Sequence, residues 1–161
     1  MTPARAQPSG PLEIWKFGGA SLADAAAIQR AAALIARHPG PLVIVASALG
    51  GITDLLLGGA TLACAGRVEE AGRVAADFLR RHREVARALV PRGPARRALL
   101  ARMDAAAREY RDLCGAVAVL GHLAPRASDM LVARGERMSA AILAAALGRA
   151  RRPAEYADAP A

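Results

Sequence analysis

The chain contains two short apolar runs, and each of them is followed by a glycine turn. Residues 12–17 (LEIWKF) lead into two glycines, and residues 42–46 (LVIVA) lead into the turn at 47–54 (SALGGITD). Short apolar runs that end in glycines are typical of strands, and a β-branched run that is apolar on both faces is typical of a central parallel strand. Helical spacing in residues 22–37, where Asp24 suits an N-cap or a first-turn acid, predicts a helix between the two runs. The pattern therefore predicts a βαβ unit in an α/β fold.

Most of the remaining sequence predicts helices. Apolar stripes run through residues 67–120 and are interrupted by PRGP at 91–94, which predicts long helices whose role is packing. A further helix is predicted at 124–148, and residues 153–157 predict the beginning of another strand. A helical region is thus inserted between the βαβ unit and the next strand.

Composition and charge exclude several classes of protein. The net charge of +8 suggests nucleic-acid binding, but the arginines between 80 and 111 alternate with acids, as on solvated helix faces. Aromatic residues make up only 3% of the chain, too few for base stacking, so no nucleic-acid partner is predicted. No apolar run approaches the roughly 18 residues of a membrane span, so no membrane partner is predicted either.

The remaining polar features indicate a cytoplasmic protein without a metal site of its own. Residues 1–11 carry three prolines and no apolar stretch, so we expect a disordered leader and not a secretory signal. Cys64 and Cys114 lie far apart without metal-ligand spacing, which suits a reducing cytosol. His82 is interpreted as a surface histidine and His122 as a loop histidine, so neither predicts a metal site.

Lys16 is the only lysine of the chain, since the other 21 basic residues are arginines. It lies near the end of the first apolar run, and this run directly precedes the glycine turn. A lysine is a compact point charge that can enter a crowded phosphate site, whereas arginine is planar and bulky. A lysine in this position indicates a phosphoryl-transfer site. An ordinary strand-end lysine is the alternative, and the position alone does not decide between them.

The predicted helix at 124–148 contains a glycine in its interior, Gly135, followed by Glu136, while Gly148 suits its C-cap. A mid-helix glycine costs about 1 kcal/mol relative to alanine, so we expect some group to approach the backbone closely there. Glu136 would then be offered to a cationic group. The alternative is a packing glycine beside an ordinary salt-bridged acid.

Three blocks of the sequence, in this order, resemble the N-terminal motifs of aspartate kinases. They are KFGGASLAD at 16–24, SALGGITD at 47–54 and RGERMS at 134–139. The resemblance covers residues 12–161 and implies the N-terminal lobe of the amino-acid kinase fold, with a parallel-sheet core and an inserted helical region. The SLAD sequence at 21–24 and the long helical region at 67–120 also resemble the kinase part of the bifunctional aspartokinase–homoserine dehydrogenases.

The resemblance implies phosphorylation of the aspartate side-chain carboxylate by ATP, with Mg²⁺ bound with the nucleotide, on the route to lysine, threonine and methionine. Lys16 would be the catalytic residue that steadies the transferred phosphoryl group. The amides of Gly18 and Gly19, with the Ser21 hydroxyl, would line the phosphates. Ala20 stands where the family usually has threonine, so one hydroxyl near the phosphates is missing.

The second and third blocks would bind the amino-acid substrate. The resemblance implies that Ser47 and Thr53 contact the substrate and that Glu136 receives the aspartate α-ammonium group. Turns that follow the strands of a parallel sheet lie on one edge, where α/β proteins bind ligands. We therefore expect Lys16 to face the same cavity as these three residues.

The sequence departs from the family on the C-terminal side of Glu136. Nothing there matches the family's Gly-Ser-Asp segment, which carries the catalytic aspartate, or most of its nucleotide pocket. The chain is therefore expected to be an N-terminal fragment that is inactive alone, and the full-length enzyme is expected to be a homo-oligomer.

Two alternative functions remain open at this point. The chain could belong to another amino-acid kinase that acts on glutamate, acetylglutamate or a nucleotide, although those relatives generally lack the Arg-Gly-Glu helix. It could also be a non-catalytic fragment that binds an acidic metabolite or a partner subunit. A direct activity assay separates this last possibility from an aspartate kinase.

Overall fold

The computed structural model describes residues 10–150 and 152–158, so residues 1–9 of the predicted leader lie outside the described part. The predicted βαβ unit is present and is followed by four helices. The elements are β1 (Glu13–Phe17), a short 3₁₀ helix (Gly19–Leu22), α1 (Ala25–Arg37), β2 (Leu42–Ala46), α2 (Ile52–Cys64), α3 (Val68–Leu89), α4 (Pro94–Leu120) and α5 (Pro125–Arg149). None of the helices within the described ranges combines the length and the apolar character of a membrane span.

The ends of two helices test the capping predictions. The Asp24 side chain accepts a hydrogen bond from the Ala27 amide at 2.8 Å, so the predicted N-cap of α1 is confirmed. The predicted C-cap Gly148 is wrong, because α5 continues through Arg149 and ends at Ala150. Gly148 does not have the positive φ that makes glycine useful after a helix end.

The two strands pair in parallel, in a register that joins Trp15 to Ile44 and Lys16 to Val45. One face of this sheet carries Trp15 and Ile44 and packs on the core. The other face is uncovered, since Val43 and Val45 keep 45% and 46% of their surface exposed and Ile14 keeps 70%. The prediction that β2 is a central parallel strand is therefore wrong for the described residues, in which β2 has one neighbouring strand and helices cover one face of the sheet.

The helical region predicted at 67–120 is confirmed as α3 and α4, and a glycine of α2 allows these two helices to pack closely against α2. A Cβ atom on Gly59 of α2 would overlap the Tyr110 hydroxyl of α4 and would lie 2.8 Å from Val74 of α3. The Tyr110 hydroxyl donates to the Leu56 carbonyl at 2.7 Å and is fully buried. Burial also raises the pKa of Tyr110, so the phenol stays protonated and keeps this hydrogen bond.

The segment after α5 runs alongside β2 without forming the strand predicted at 153–157. Arg152 donates to the carbonyl of Gly40, two residues before β2, and Asp158 pairs with Arg137 of α5 at 3.0 Å. A cavity of about 740 Å³ is lined by this segment, by β2 and by α5. The backbones stay apart, and no backbone hydrogen bond joins the two among the described residues.

His82 is fully buried on α3, so its prediction as a surface histidine is wrong. Its ring lies 4.3 Å from the Phe78 ring, and its Nδ1 is 2.8 Å from the Phe78 carbonyl. Because a carbonyl only accepts, Nδ1 carries the proton, and Nε2 has no hydrogen-bond partner among the described residues. Burial, with a smaller contribution from the neighbouring charge of Arg81, lowers the pKa of His82 to about 4.

This buried histidine predicts a loss of stability in acid. Between about pH 6.5 and pH 4 the unfolded chain binds a proton that folded His82 does not, so the free energy of unfolding falls as the pH falls. The expected contribution is on the order of 3 kcal/mol. Urea unfolding at pH 7.5 and 4.5 should show a smaller pH dependence for His82→Leu, whereas the exposed control His122→Leu should behave like the wild type. Equal pH dependence in all three would contradict the prediction.

Candidate active site

The first glycine turn begins where β1 ends. Gly18 is extended, with φ −76° and ψ 173°, and its carbonyl accepts from the Ser21 amide at 2.9 Å. A Cβ on Gly18 would meet nothing within 4 Å, and a Cβ on Gly19 would meet only the Ala48 carbonyl at 3.7 Å. The backbone is therefore open to a ligand here, and the exposed Ser21 side chain lies on the same turn.

The second glycine turn is fixed to the first one by backbone hydrogen bonds. The Ser47 amide donates to the carbonyl of the last β1 residue at 2.9 Å, and the Gly50 amide donates to the Ala23 carbonyl at 3.3 Å. Gly51 precedes α2 with a φ of +71°, a conformation that glycine adopts without strain. Ser47 is half-buried at the start of this turn, and Thr53 is exposed in the first turn of α2.

Gly135 of α5 packs closely against the second glycine turn. A Cβ at this position would lie 2.9 Å from the Ala48 Cβ and 2.9 Å from the Ile52 Cγ2, closer than such atoms can approach. The Ser139 hydroxyl, one helical turn further on, donates to the Ser47 carbonyl at 2.5 Å. The close approach at the mid-helix glycine is made by the second glycine turn itself, so Gly135 is a packing glycine, as in the alternative interpretation.

Glu136 lies beside this contact. It precedes Ser139 by three residues, so the two occupy neighbouring positions on the helix surface. Ser139 is buried against the turn, whereas Glu136 is exposed. Glu136 takes part in none of the salt bridges of the described residues, which removes the alternative of an ordinary paired acid within that part of the chain. Its carboxylate is available to a cationic group at the edge of the second turn.

Lys16 lies near this edge but on the opposite face of the sheet from α5. It shares the uncovered face with Val45, whereas α5 packs on the covered face. The expectation of one cavity shared by the candidate residues is not met, and the cavity beside β2 is lined by none of them. Lys16 is one residue from the end of β1, a distance of about 3.3 Å, which its four-carbon side chain can span.

A second cation lies at the second glycine turn. The Arg81 Nη1 atom is 4.0 Å from the position of a Cβ on Gly51. On the same helix Arg80 and Arg83 are paired with carboxylates, whereas the described residues place none within salt-bridge distance of Arg81. Together with Lys16, this guanidinium adds positive charge at the carboxyl edge of the sheet, while Asp54 in the first turn of α2 and Glu136 add negative charge there.

Ser139 and Arg134 have roles that the sequence analysis did not assign, although both lie in the RGERMS block. The buried Arg134 guanidinium donates to the Met130 carbonyl and lies 3.5 Å from the Glu109 carboxylate, so it ties α5 to α4. Burial lowers the pKa of Arg134 from its usual value. Both residues interrupt the apolar face of α5, and a polar residue in such a face needs a hydrogen-bond partner. That interruption is the signal that could have identified them.

The amino acid kinase family model matches residues 12–161. The chain belongs to the amino acid kinase family. Among solved structures, E. coli aspartokinase III in complex with lysine and aspartate (T-state) is 25% identical, with a TM-score of 0.69 over 88% of this chain and 30% of that chain. The same enzyme in complex with aspartate and ADP (R-state) is 24% identical, with a TM-score of 0.57 over 88% and 29%. No curated protein sequence is significantly similar to the chain.

These similarities confirm the predicted resemblance and the α/β fold class of the amino-acid kinase lobe. The chain spans about 30% of the length of the aspartokinase III structures. The finer resemblance to the bifunctional aspartokinase–homoserine dehydrogenases and the roles of the individual site residues stay predictions.

Proposed function

We propose that the chain is the N-terminal lobe of an aspartate kinase, which transfers the γ-phosphoryl group of ATP to the side-chain carboxylate of aspartate. The observation that carries this proposal is the contact of α5 with the second glycine turn through Gly135 and Ser139. This contact joins the third motif to the second, which backbone hydrogen bonds join to the first. The product, aspartyl phosphate, would enter lysine, threonine and methionine biosynthesis in the cytoplasm.

The chemistry of this transfer needs positioning and charge compensation more than a strong base, because a carboxylate nucleophile is already ionised. Lys16 supplies a positive charge for the transferred phosphoryl group. The open backbone at Gly18 and Gly19 lets the phosphates approach the amides, and the Ser21 hydroxyl adds a donor. Because Ser21 remains, the alanine at position 20 is expected to change the rate and not the reaction.

At the other end of the site, Ser47 and Thr53 contact the aspartate, and Glu136 pairs with its α-ammonium group. An amino acid is a zwitterion, so its recognition requires an anion for the ammonium group and donors or cations for the carboxylates. The exposed Glu136 carboxylate supplies the first requirement. The aspartokinase III structures contain aspartate, which supports this choice of substrate.

The nucleotide is proposed to bring its own metal ion. The described residues contain no group of three or more His, Cys, Asp or Glu side chains arranged around a metal position. Mg²⁺ commonly binds substrate phosphates with only one or two carboxylates, so the proposed Mg²⁺ is held mainly by ATP. The ADP complex of aspartokinase III supports the use of an adenine nucleotide.

We propose further that turnover requires more of the kinase domain than this chain provides. The chain corresponds to about 30% of aspartokinase III. The uncovered sheet face, with Ile14, Val43 and Val45, offers an apolar surface on which the rest of the domain can pack. The complete enzyme is proposed to be a homo-oligomer.

The uncovered sheet face also favours the second candidate function, a non-catalytic subunit that binds a partner.

Glu136→Gln is expected to weaken aspartate binding about 10–100-fold and to change ADP binding less than twofold. A charge-assisted hydrogen bond in a partly enclosed site contributes roughly 1.5–3 kcal/mol, and the amide cannot replace the charge. Both dissociation constants can be measured by calorimetric titration of a kinase domain that contains this chain together with the rest of the domain, because the chain alone lacks most of the nucleotide pocket.

Glu69→Gln, which removes an exposed carboxylate on α3, is the matched control and should leave both constants unchanged. Equal weakening of aspartate and ADP by Glu136→Gln would indicate a structural role for the Arg-Gly-Glu helix. A chain that binds neither ligand, while a partner protein adheres to its uncovered face, would favour the non-catalytic alternative.

A further inference from the structure

Ser139 joins the two segments that are proposed to hold the amino-acid substrate. Its hydroxyl lies 2.5 Å from the Ser47 carbonyl and 2.9 Å from the Glu136 carbonyl, and the residue has no exposed surface. A hydroxyl carries one proton, so these two acceptors share a single donor. The bond to Ser47 bridges 92 positions of the sequence, whereas the bond to Glu136 is local to the helix.

We propose that Ser139 is a positioning residue, which holds Glu136 at a fixed distance from Ser47 so that one aspartate molecule can contact both. This inference rests on the proposed function. Ser139 is fully buried, so its side chain is not accessible to the substrate.

The geometry explains why the Ser47 carbonyl depends on this hydroxyl. None of the turn and loop amides in the described ranges donates to it, so the Ser139 hydroxyl is its donor. The Glu136 carbonyl differs, because in a regular helix it also accepts from the amide four residues later. Loss of the Ser139 hydroxyl therefore leaves the Ser47 carbonyl without a hydrogen-bond donor, while the backbone hydrogen bonds of the helix remain.

Gly135 and Ser139 fix α5 to the turn at two points one helical turn apart. The first contact sets how closely the helix approaches Ala48, and the second sets the helix position along the turn. Glu136 lies between the two points in sequence. Removal of the hydrogen bond should therefore let the distance between Glu136 and Ser47 vary without opening the apolar contact.

The test uses a kinase domain that contains this 161-residue chain together with the rest of the domain, and its variants Ser139→Ala, Ser139→Cys and Ser128→Ala. Ser139→Ala is expected to raise the dissociation constant for aspartate about tenfold and that for ADP less than twofold. Ser139→Cys keeps a weak donor of similar shape and should recover part of the affinity. Ser128, half-buried near the beginning of the same helix, is the control and should have no effect.

Amide hydrogen exchange adds a measurement that needs no ligand. In Ser139→Ala the amides of Ser47, Gly50 and Ile52, all hydrogen-bonded in or beside the second glycine turn, should exchange about tenfold faster. The amides in the middle of α3 should exchange at the wild-type rate, which shows that the fold is retained.

Unchanged exchange at the second glycine turn, or faster exchange throughout the chain, would overturn the positioning role. Aspartate binding that Ser139→Ala leaves unchanged would overturn this inference alone. A wild-type kinase domain that contains this chain and does not bind aspartate would overturn the proposed function and this inference with it.

Discussion

Lys16→Arg is expected to reduce turnover by about 10²–10³-fold in an aspartate kinase that contains this chain together with the rest of its kinase domain. The substitution keeps the positive charge, so a simple loss of charge does not cause the effect. A guanidinium is planar and wider than an ammonium group, and its fork cannot occupy a point-charge site beside the transferred phosphoryl group. Lys16 must also pass the end of β1 from the uncovered face, which favours a narrow, flexible side chain.

The measurement is the rate of aspartyl phosphate formation, with hydroxylamine to trap the acyl phosphate. The reverse exchange Arg30→Lys on the exposed surface of α1 is a matched control and should leave the rate unchanged. Near-normal turnover of Lys16→Arg would show that Lys16 is only a strand-end residue, the alternative that the sequence leaves open.

Local rules account for the parts of the fold that the sequence predicts correctly. Asp24 caps α1 with its own side chain, and Gly51 adopts a positive φ before α2. The break between α3 and α4 falls at the predicted PRGP segment, 91–94. Each of these features depends on a few consecutive residues, so no knowledge of distant contacts is required.

The incorrect predictions concern burial, which depends on contacts between distant residues. A β-branched run predicts a strand, but it does not show which elements cover each face, so the exposure of Val43 and Val45 could not be predicted. His82 follows Phe78 by four residues and precedes Ala86 by four, and all three are buried on one stripe of α3. The flanking arginines suggest a surface position, but helical spacing is the better guide here.

In the candidate site too, the sequence predicts some features correctly and misses those that depend on contacts between distant residues. The order of the motifs predicts which segments converge, because the turns after parallel strands share one edge. Sequence also predicts a close approach at Gly135, because a glycine inside a helix is otherwise a cost. It does not predict the bond from Ser139 to Ser47, or that Lys16 lies on the uncovered face, since these depend on helix packing and strand register.

Gly135→Ala is expected to destabilise the chain by about 1–3 kcal/mol, the usual cost of an added methyl group in a packed contact. The new Cβ would lie 2.9 Å from Ala48 and from Ile52. Neither the Ala48 Cβ nor the Ile52 Cγ2 is the end of a flexible side chain, so α5 must move away from the second glycine turn. For a domain of this size the melting temperature should fall by roughly 2–4 °C per kcal/mol.

Gly115→Ala in α4 separates this packing effect from helix propensity. A Cβ on Gly115 would meet nothing within 4 Å, so this control should gain up to about 1 kcal/mol from the better helix former. If Gly135→Ala were as stable as this control, the contact between α5 and the turn would not be tight. If it is destabilised as expected, aspartate binding should weaken more than ADP binding, because the displaced helix carries Glu136 away from Ser47.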